Sequence, residues 1–129
     1  MTTNNSSPYD GLEKLFHEPK RLAIVSMLCT AKDGASFAEM KRSCGLTDGN
    51  LNRHLNTLEQ AGAVRLVKES RRSRPQTFAH LTPTGREQFN AYLRALEGAL
   101  KLAVDALQTE ADSRSTEAGW GLNEATVWP

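Results

Sequence analysis

"GLTDGNLNRHLNTLEQAGAVRLVKESRRSRPQTFAHLTPTG", residues 45–85, passes from a helical pattern into three arginines within four positions and back toward a helix. In its first half Leu51, Leu55 and Leu58 fall at i, i+4 and i+7, which places them on one helical face. The opposite face carries Gly49, Asn50, Asn52, Arg53, Asn56, Thr57 and Gln60. A merely solvated helix usually alternates Lys and Glu, whereas amides and an arginine can form paired hydrogen bonds to base edges. Residue type alone is also compatible with a surface helix of modest propensity, so the neighbouring segments have to decide.

Immediately upstream, "SFAEMKRSCG" has Ser36 followed three positions later by Glu39, a capping-box signal. Phe37 and Met40 can face inward, and Gly45 can stop this short helix before Thr47 caps the next one. The order is helix, tight turn, helix. Downstream, Gly62 ends the second helix and a strand begins at Val64. "SRRSRPQ" then forms a basic loop, and "TFAHL" a second strand. Residues 64–82 thus predict a two-stranded hairpin with Arg71, Arg72 and Arg74 at its tip, and with Pro75 on the descending side, where it cannot sit in a central strand. A solvated tip is the bland alternative. Three like charges in four residues repel each other, however, and a phosphate backbone would neutralise them.

"LTPTGREQF" opens another helix, with Thr82 as its cap and Pro83 in the favoured first position. Phe89, Leu93, Leu96, Leu100, Ala103 and Leu107 then recur at alternating intervals of four and three. A heptad seam of this length exceeds what a small domain needs for its own core, so part of it is expected to meet a partner helix in a homodimer; packing within the chain is the alternative. Toward the N-terminus, "GLEKLFHEP" reads as a short amphipathic turn or helix. "PKRLAIVSMLCTA" reads as a first full helix with Leu22, Val25, Leu28 and Cys29 on one face, broken by "KDG" at 32–34. The expected organisation is a flexible segment at 1–8, one domain over 9–107 including the seam helix, and a flexible tail at 108–129 that contains Trp120, Val127 and Trp128.

With 129 residues, 39% hydrophobic and 24% charged, the chain has ordinary globular usage and one core. Its net charge of +1 conceals a segregation: residues 47–86 carry seven Lys or Arg against three acids, and residues 87–129 three against seven. A basic centre before an acidic end favours a polyanionic partner. No run of eighteen apolar residues occurs and the polar start lacks the features of a secretory signal, so a cytoplasmic protein without membrane contact is expected. Cys29 and Cys44 lie fifteen positions apart with no CxxC pair, and read as small buried hydrophobes more than as a redox or metal pair.

Taken in order, "GLTDGNLNRHLNTLEQAGAVRLVKESRRSRPQTFAHLTPTGREQF" and the upstream "FHEPKRLAIVSML" resemble the winged helix-turn-helix core of bacterial and archaeal transcriptional regulators of the MarR, ArsR and PadR kind, over about residues 12–106. The resemblance implies an α+β, mainly α fold with a two-stranded wing and a long C-terminal dimerisation helix. It makes residues 36–44 the first helix of the reading unit and 47–61 the recognition helix. Gly62 becomes the turn into the wing, and residues 83–107 the dimer helix. The implied contacts with double-stranded DNA are Thr47, Asn50, Asn52, Arg53, Asn56 and Thr57 in the major groove, and Arg71, Arg72 and Arg74 on the backbone or minor groove. The implied dimer contacts are Phe89, Leu93, Leu96, Leu100 and Leu107. Members of this kind usually act as homodimers on pseudo-palindromic operators and often repress.

Metal-responsive relatives commonly carry cysteines on the recognition helix, and residues 47–61 contain none; His17, His54 and His80 are isolated, so no metal or cofactor is expected. His54 either flanks the core or approaches DNA. Nothing identifies an effector ligand. No nucleophile elbow, phosphate loop or paired carboxylates point to an enzyme. A winged helix module for protein contact is the main rival, and it has no need of the wing arginines.

Overall fold

The computed structural model describes residues 14–118. Helix α1 (Pro19–Cys29) starts at an extended Glu18, whose carboxylate accepts the Arg21 N–H at 2.8 Å. Ile24, Val25 and Leu28 are its buried residues, while Leu22 and Cys29, expected on the same face, are only half-buried. Strand β1 (Ala35–Ser36) leads directly into α2 (Phe37–Cys44), and the capping box is complete: the Ser36 hydroxyl accepts the Glu39 N–H while the Glu39 carboxylate accepts the Ser36 N–H. Gly45 then takes the left-handed conformation, φ 63°, which a side chain would disfavour, and its N–H reaches back to the Lys41 carbonyl.

Helix α3 (Asp48–Gln60) begins at Thr47, whose hydroxyl accepts the Asn50 N–H at 3.2 Å. Leu51, Leu55 and Leu58 are all at most 1% exposed, and burying each side chain contributes about 1.5–3 kcal/mol toward seating the helix. Strands β2 (Val64–Arg71) and β3 (Arg74–Leu81) form the antiparallel wing, with Arg71 opposite Arg74. The sheet has three strands in the order β1-β3-β2 rather than the two expected, because Ala35 and Ser36 pair with Ala79 and Phe78. Two residues carry no readable period, so such a strand is invisible in sequence. β3 is therefore the middle strand and yet holds Pro75. The two facts are compatible because β1 reaches only Phe78 and Ala79, leaving Pro75 where β3 has a neighbour on one side.

Thr82 caps helix α4 (Pro83–Ala118): its hydroxyl donates to the Gly62 carbonyl at 2.6 Å and accepts the Gly85 N–H at 2.8 Å. The first turn of α4 lies so close to the turn between α3 and β2 that a methyl group at Gly85 would overlap the Ala63 carbonyl. Further along, Phe89 and Tyr92 pack with Phe16, the Phe16 and Phe89 ring centroids 5.2 Å apart edge to face, and the Tyr92 hydroxyl shares a hydrogen bond of 3.0 Å with His17 Nδ1.

This arrangement corrects two expectations. Phe89, at 3% exposure, belongs to the core of its own chain and not to the outward seam. The inward stripe of α4 is Gly85, Phe89, Tyr92 and Ala99, with Leu96 half-buried against it, whereas Leu93, Leu100 and Leu107 lie 41%, 56% and 57% exposed at intervals of seven. Second, α4 does not give way to a flexible tail at 108 but continues to Ala118. Residues 108–118 contain neither Gly nor Pro, and Gln108, Glu110, Ala111, Arg114, Glu117 and Ala118 are good helix formers, which sustain a helix without any apolar period. The expectations for 1–8 and 119–129 lie outside the described residues.

Candidate nucleic-acid interface

Helices α2 and α3 pack together, α2 against β3 and α3 against β2, and each of these elements carries exposed polar residues. On α3, Asn50, Asn52, Arg53 and Asn56 are exposed, as are Gly49 and Gln60, and the leucines opposite them fix which way they point. Thr47 is exposed at the helix start. Its oxygen is committed to the cap, so its proton remains to be donated outward. Thr57 is half-buried and its hydroxyl donates to the Arg53 carbonyl at 3.1 Å, a back-bond that ties it to its own helix. Lys41 of α2 pairs with Asp48 at 2.6 Å across the turn. Both are substantially exposed, so this pair is worth little in stability. Its effect is to neutralise the single acid at the front of α3.

The three wing arginines are not equivalent. Arg71 is half-buried, its guanidinium carbon 3.6 Å from the Phe78 ring centroid, with hydrogen bonds to the Glu69 carboxylate at 2.9 and 3.1 Å and to the Asp33 carbonyl at 3.1 Å. It ties the wing to the loop before β1. Arg72 and Arg74 are exposed at the tip. The connecting turn places Arg72 at φ 56° and Ser73 at φ 62°, the conformation of a two-residue hairpin turn that usually takes Asn-Gly. Sequence spacing gave no means to distinguish Arg71, because the sign of its charge is plain in the sequence and its aromatic partner is visible only once the strands pair.

A residue that sequence alone left undecided is settled as well. His54 faces inward, 6% exposed between the leucines of α3, and Arg21 of α1 contacts its Nδ1 at 3.2 Å. Burial holds the imidazole below its ordinary value, the Glu18 carboxylate opposing and Arg21, Arg53 and Lys20 reinforcing. Burial likewise pushes the Cys29 and Cys44 thiols up, although Arg86 and Lys20 respectively act against it, so both stay protonated well beyond neutrality. Among the described residues no cluster of three or more His, Cys, Asp or Glu is arranged to hold a metal, and no helix is long and apolar enough to cross a membrane.

A short helix, a left-handed glycine turn, an amide-rich second helix and an arginine-tipped hairpin beside it define a winged helix-turn-helix. The chain belongs to the winged helix DNA-binding domain family, which matches residues 20–100. It is 34% identical over 80 residues to an uncharacterized protein of Methanocaldococcus jannaschii, covering 62% of this chain and 86% of that one. Among solved structures it is similar to a transcriptional regulator homologue from Pyrococcus horikoshii, with 29% identity, a TM-score of 0.59, and coverage of 76% of this chain and 93% of the other. A variant of MepR from Staphylococcus aureus bound to an oligodeoxyribonucleotide shares the fold at 15% identity and a TM-score of 0.61, covering 87% and 86%. The resemblance to winged helix transcriptional regulators drawn from the sequence is thereby established, and with it the class: a DNA-binding transcriptional regulator.

Proposed function

We propose that this protein is a homodimeric repressor that reads a specific operator with α3 in the major groove and places its wing arginines on the flanking backbone or minor groove. The observation that carries this is the exposed face of α3, where Asn50, Asn52, Arg53 and Asn56 stand clear of any internal role while the opposite face is fully buried. Asn matches adenine and Arg matches guanine as bidentate partners, whereas Arg72 and Arg74 suit phosphates, which position without selecting. Thr47 supports the reading as a phosphate donor. Arg71 and Thr57 contribute by holding the wing and the helix in place, because their polar groups are already engaged.

The dimer is supported by Leu93, Leu100 and Leu107, three large apolar side chains in heptad register on one face of α4 and each more than 40% exposed. A helix of 36 residues spans about 54 Å, well beyond the body of the domain. Burial of this stripe against a second α4 removes it from water and relates two recognition helices by a two-fold axis, which suits half-sites one turn of DNA apart, roughly 34–36 Å. Repression follows the habit of the regulators it resembles, an operator-bound dimer excluding polymerase. Selection of bound duplexes from random DNA tests the reading: an enriched inverted repeat supports it, and recovery of no sequence preference refutes specific readout.

A further inference from the structure

The inward face of α3 contains one polar side chain, and its partner cannot adapt to a change of protonation. Arg21 donates its Nε–H to the Leu15 carbonyl at 2.7 Å and an NH2 proton to the Lys14 carbonyl at 3.3 Å, which pins the guanidinium to the turn before α1. Its remaining terminal nitrogen lies 3.2 Å from His54 Nδ1. Arginine is a donor only and does not deprotonate, so Nδ1 must accept, and the ring is the neutral tautomer with its proton on Nε2.

A proton added to Nδ1 would set N–H against N–H and a positive ring against a positive guanidinium. The ring is 6% exposed on the same buried face as Leu51, Leu55 and Leu58, and its partner Arg21 is pinned, so relief of the repulsion falls on the seating of α3. The charged groups around it offer little relief: Glu18 at the cap of α1 is the one carboxylate, against Arg21 and Lys20 of α1 and Arg53 of its own helix. From the other elements packed on α3, Lys41 of α2 is held at the helix start by Asp48, and Arg65 and Lys68 of β2 are exposed.

Resting on the DNA-binding reading above, we infer that Arg21 is a positioning residue for the recognition helix, acting through His54, and that the contact is a proton-sensitive clasp which seats α3 for DNA only while His54 is neutral. Arg53, immediately next to His54, carries the effect to the outer face. A shift of the helix that relieves the buried ring displaces the arginine offered to a base. Consistent with this, burial already disfavours the charged ring in the seated state.

The test measures affinity of the full chain for a duplex selected from a random pool at about pH 8, then titrates downward with wild type and His54→Asn. Asn keeps an acceptor near the position of Nδ1 and does not titrate. Wild-type affinity should fall by up to about tenfold per pH unit, the limit for one linked proton, while the variant should show a distinctly shallower dependence. Parallel slopes for the two proteins overturn the inference. Should His54→Asn not fold, the His54 ring titration followed by NMR in the wild type decides: the duplex must move it to lower pH, and an unmoved midpoint refutes the clasp. Wild type that binds no duplex at about pH 8 refutes instead the DNA-binding reading and removes the inference with it.

Discussion

Arg71 on β2 lays its guanidinium over the ring of Phe78 on β3, 3.6 Å from guanidinium carbon to centroid, and is held there by Glu69 and the Asp33 carbonyl. Its role is therefore in the wing's own cohesion. Arg71→Ala should lower stability by about 1–2 kcal/mol, discounted for partial exposure. Arg72→Ala and Arg74→Ala should leave the melting temperature essentially unchanged, and each should reduce the slope of log affinity against log salt by about one. Thermal melts and a salt series on the same three variants separate the roles; a stable Arg71→Ala with a reduced slope would reverse the assignment.

On α3, Arg53 is exposed, and among the described residues no hydrogen bond or ion pair holds its guanidinium. Arg53→Ala should shrink the ratio of operator to scrambled-duplex affinity by the equivalent of about 1–3 kcal/mol. An unchanged ratio in competition titrations would mean that this part of the helix does not touch a base.

How far the sequence discloses this interface differs from residue to residue. The Ser36–Glu39 box, the Gly45 turn, the Thr47 cap and the leucine stripe are legible because each is a local rule satisfied within a few residues. Arg71 is not, since its environment is made by Phe78, seven residues further on in β3, and by a loop before β1. Phe16 and Tyr92 escaped for a related reason. Tyr92 falls between two seam positions and Phe16 in a short turn, and only their meeting with Phe89 shows that α4 divides its apolar residues between two faces.

Gly85 gives a sharp test of the junction between α4 and the turn that leads from α3 into β2. Gly85→Ala ordinarily favours a helix, yet here the added methyl meets the Ala63 carbonyl. The expected result is a loss of about 1–3 kcal/mol or more, as for other overpacked sites. A denaturation midpoint equal to or above that of the wild type would show that α4 and the Ala63 turn can part without cost.

The wing turn runs the other way. Ser73 sits at φ 62°, a conformation costing an ordinary residue roughly 1–2 kcal/mol and glycine much less. Ser73→Gly should raise stability by about 0.5–1 kcal/mol with DNA affinity retained. A decrease in chemical denaturation would contradict the turn geometry.

Leu100→Glu addresses the outward face of α4. Because Leu100 is 56% exposed within the chain, the substitution should leave the monomer's helicity intact while light scattering drops from twice the mass of the 129-residue chain to one. Wild type that is itself monomeric at tens of micromolar would defeat the dimer.

Stability should also carry the imprint of His54. Its folded pKa is depressed by burial from 6.5, so the unfolded chain takes up a proton first. Stability is full above about pH 6.5 and declines as the pH falls below it, until the folded form protonates too. Glu18, held below 4.5 by the Arg21 N–H although partial burial opposes it, acts only at more acid pH. Melts of His54→Asn should lack the upper of these two declines, and an identical profile would exclude His54 as its source.

Ser36 pairs with Phe78 in the sheet and in the same breath caps α2. No residue intervenes between β1 and α2, so the sheet and the first helix of the pair have little slack to adjust independently. Through Ser36 the hairpin and the helix pair are thus set against each other like the jaws of a caliper. A duplex that is to touch both jaws has to bring its own grooves to that setting, which makes the bending stiffness of the intervening base steps a selector in its own right.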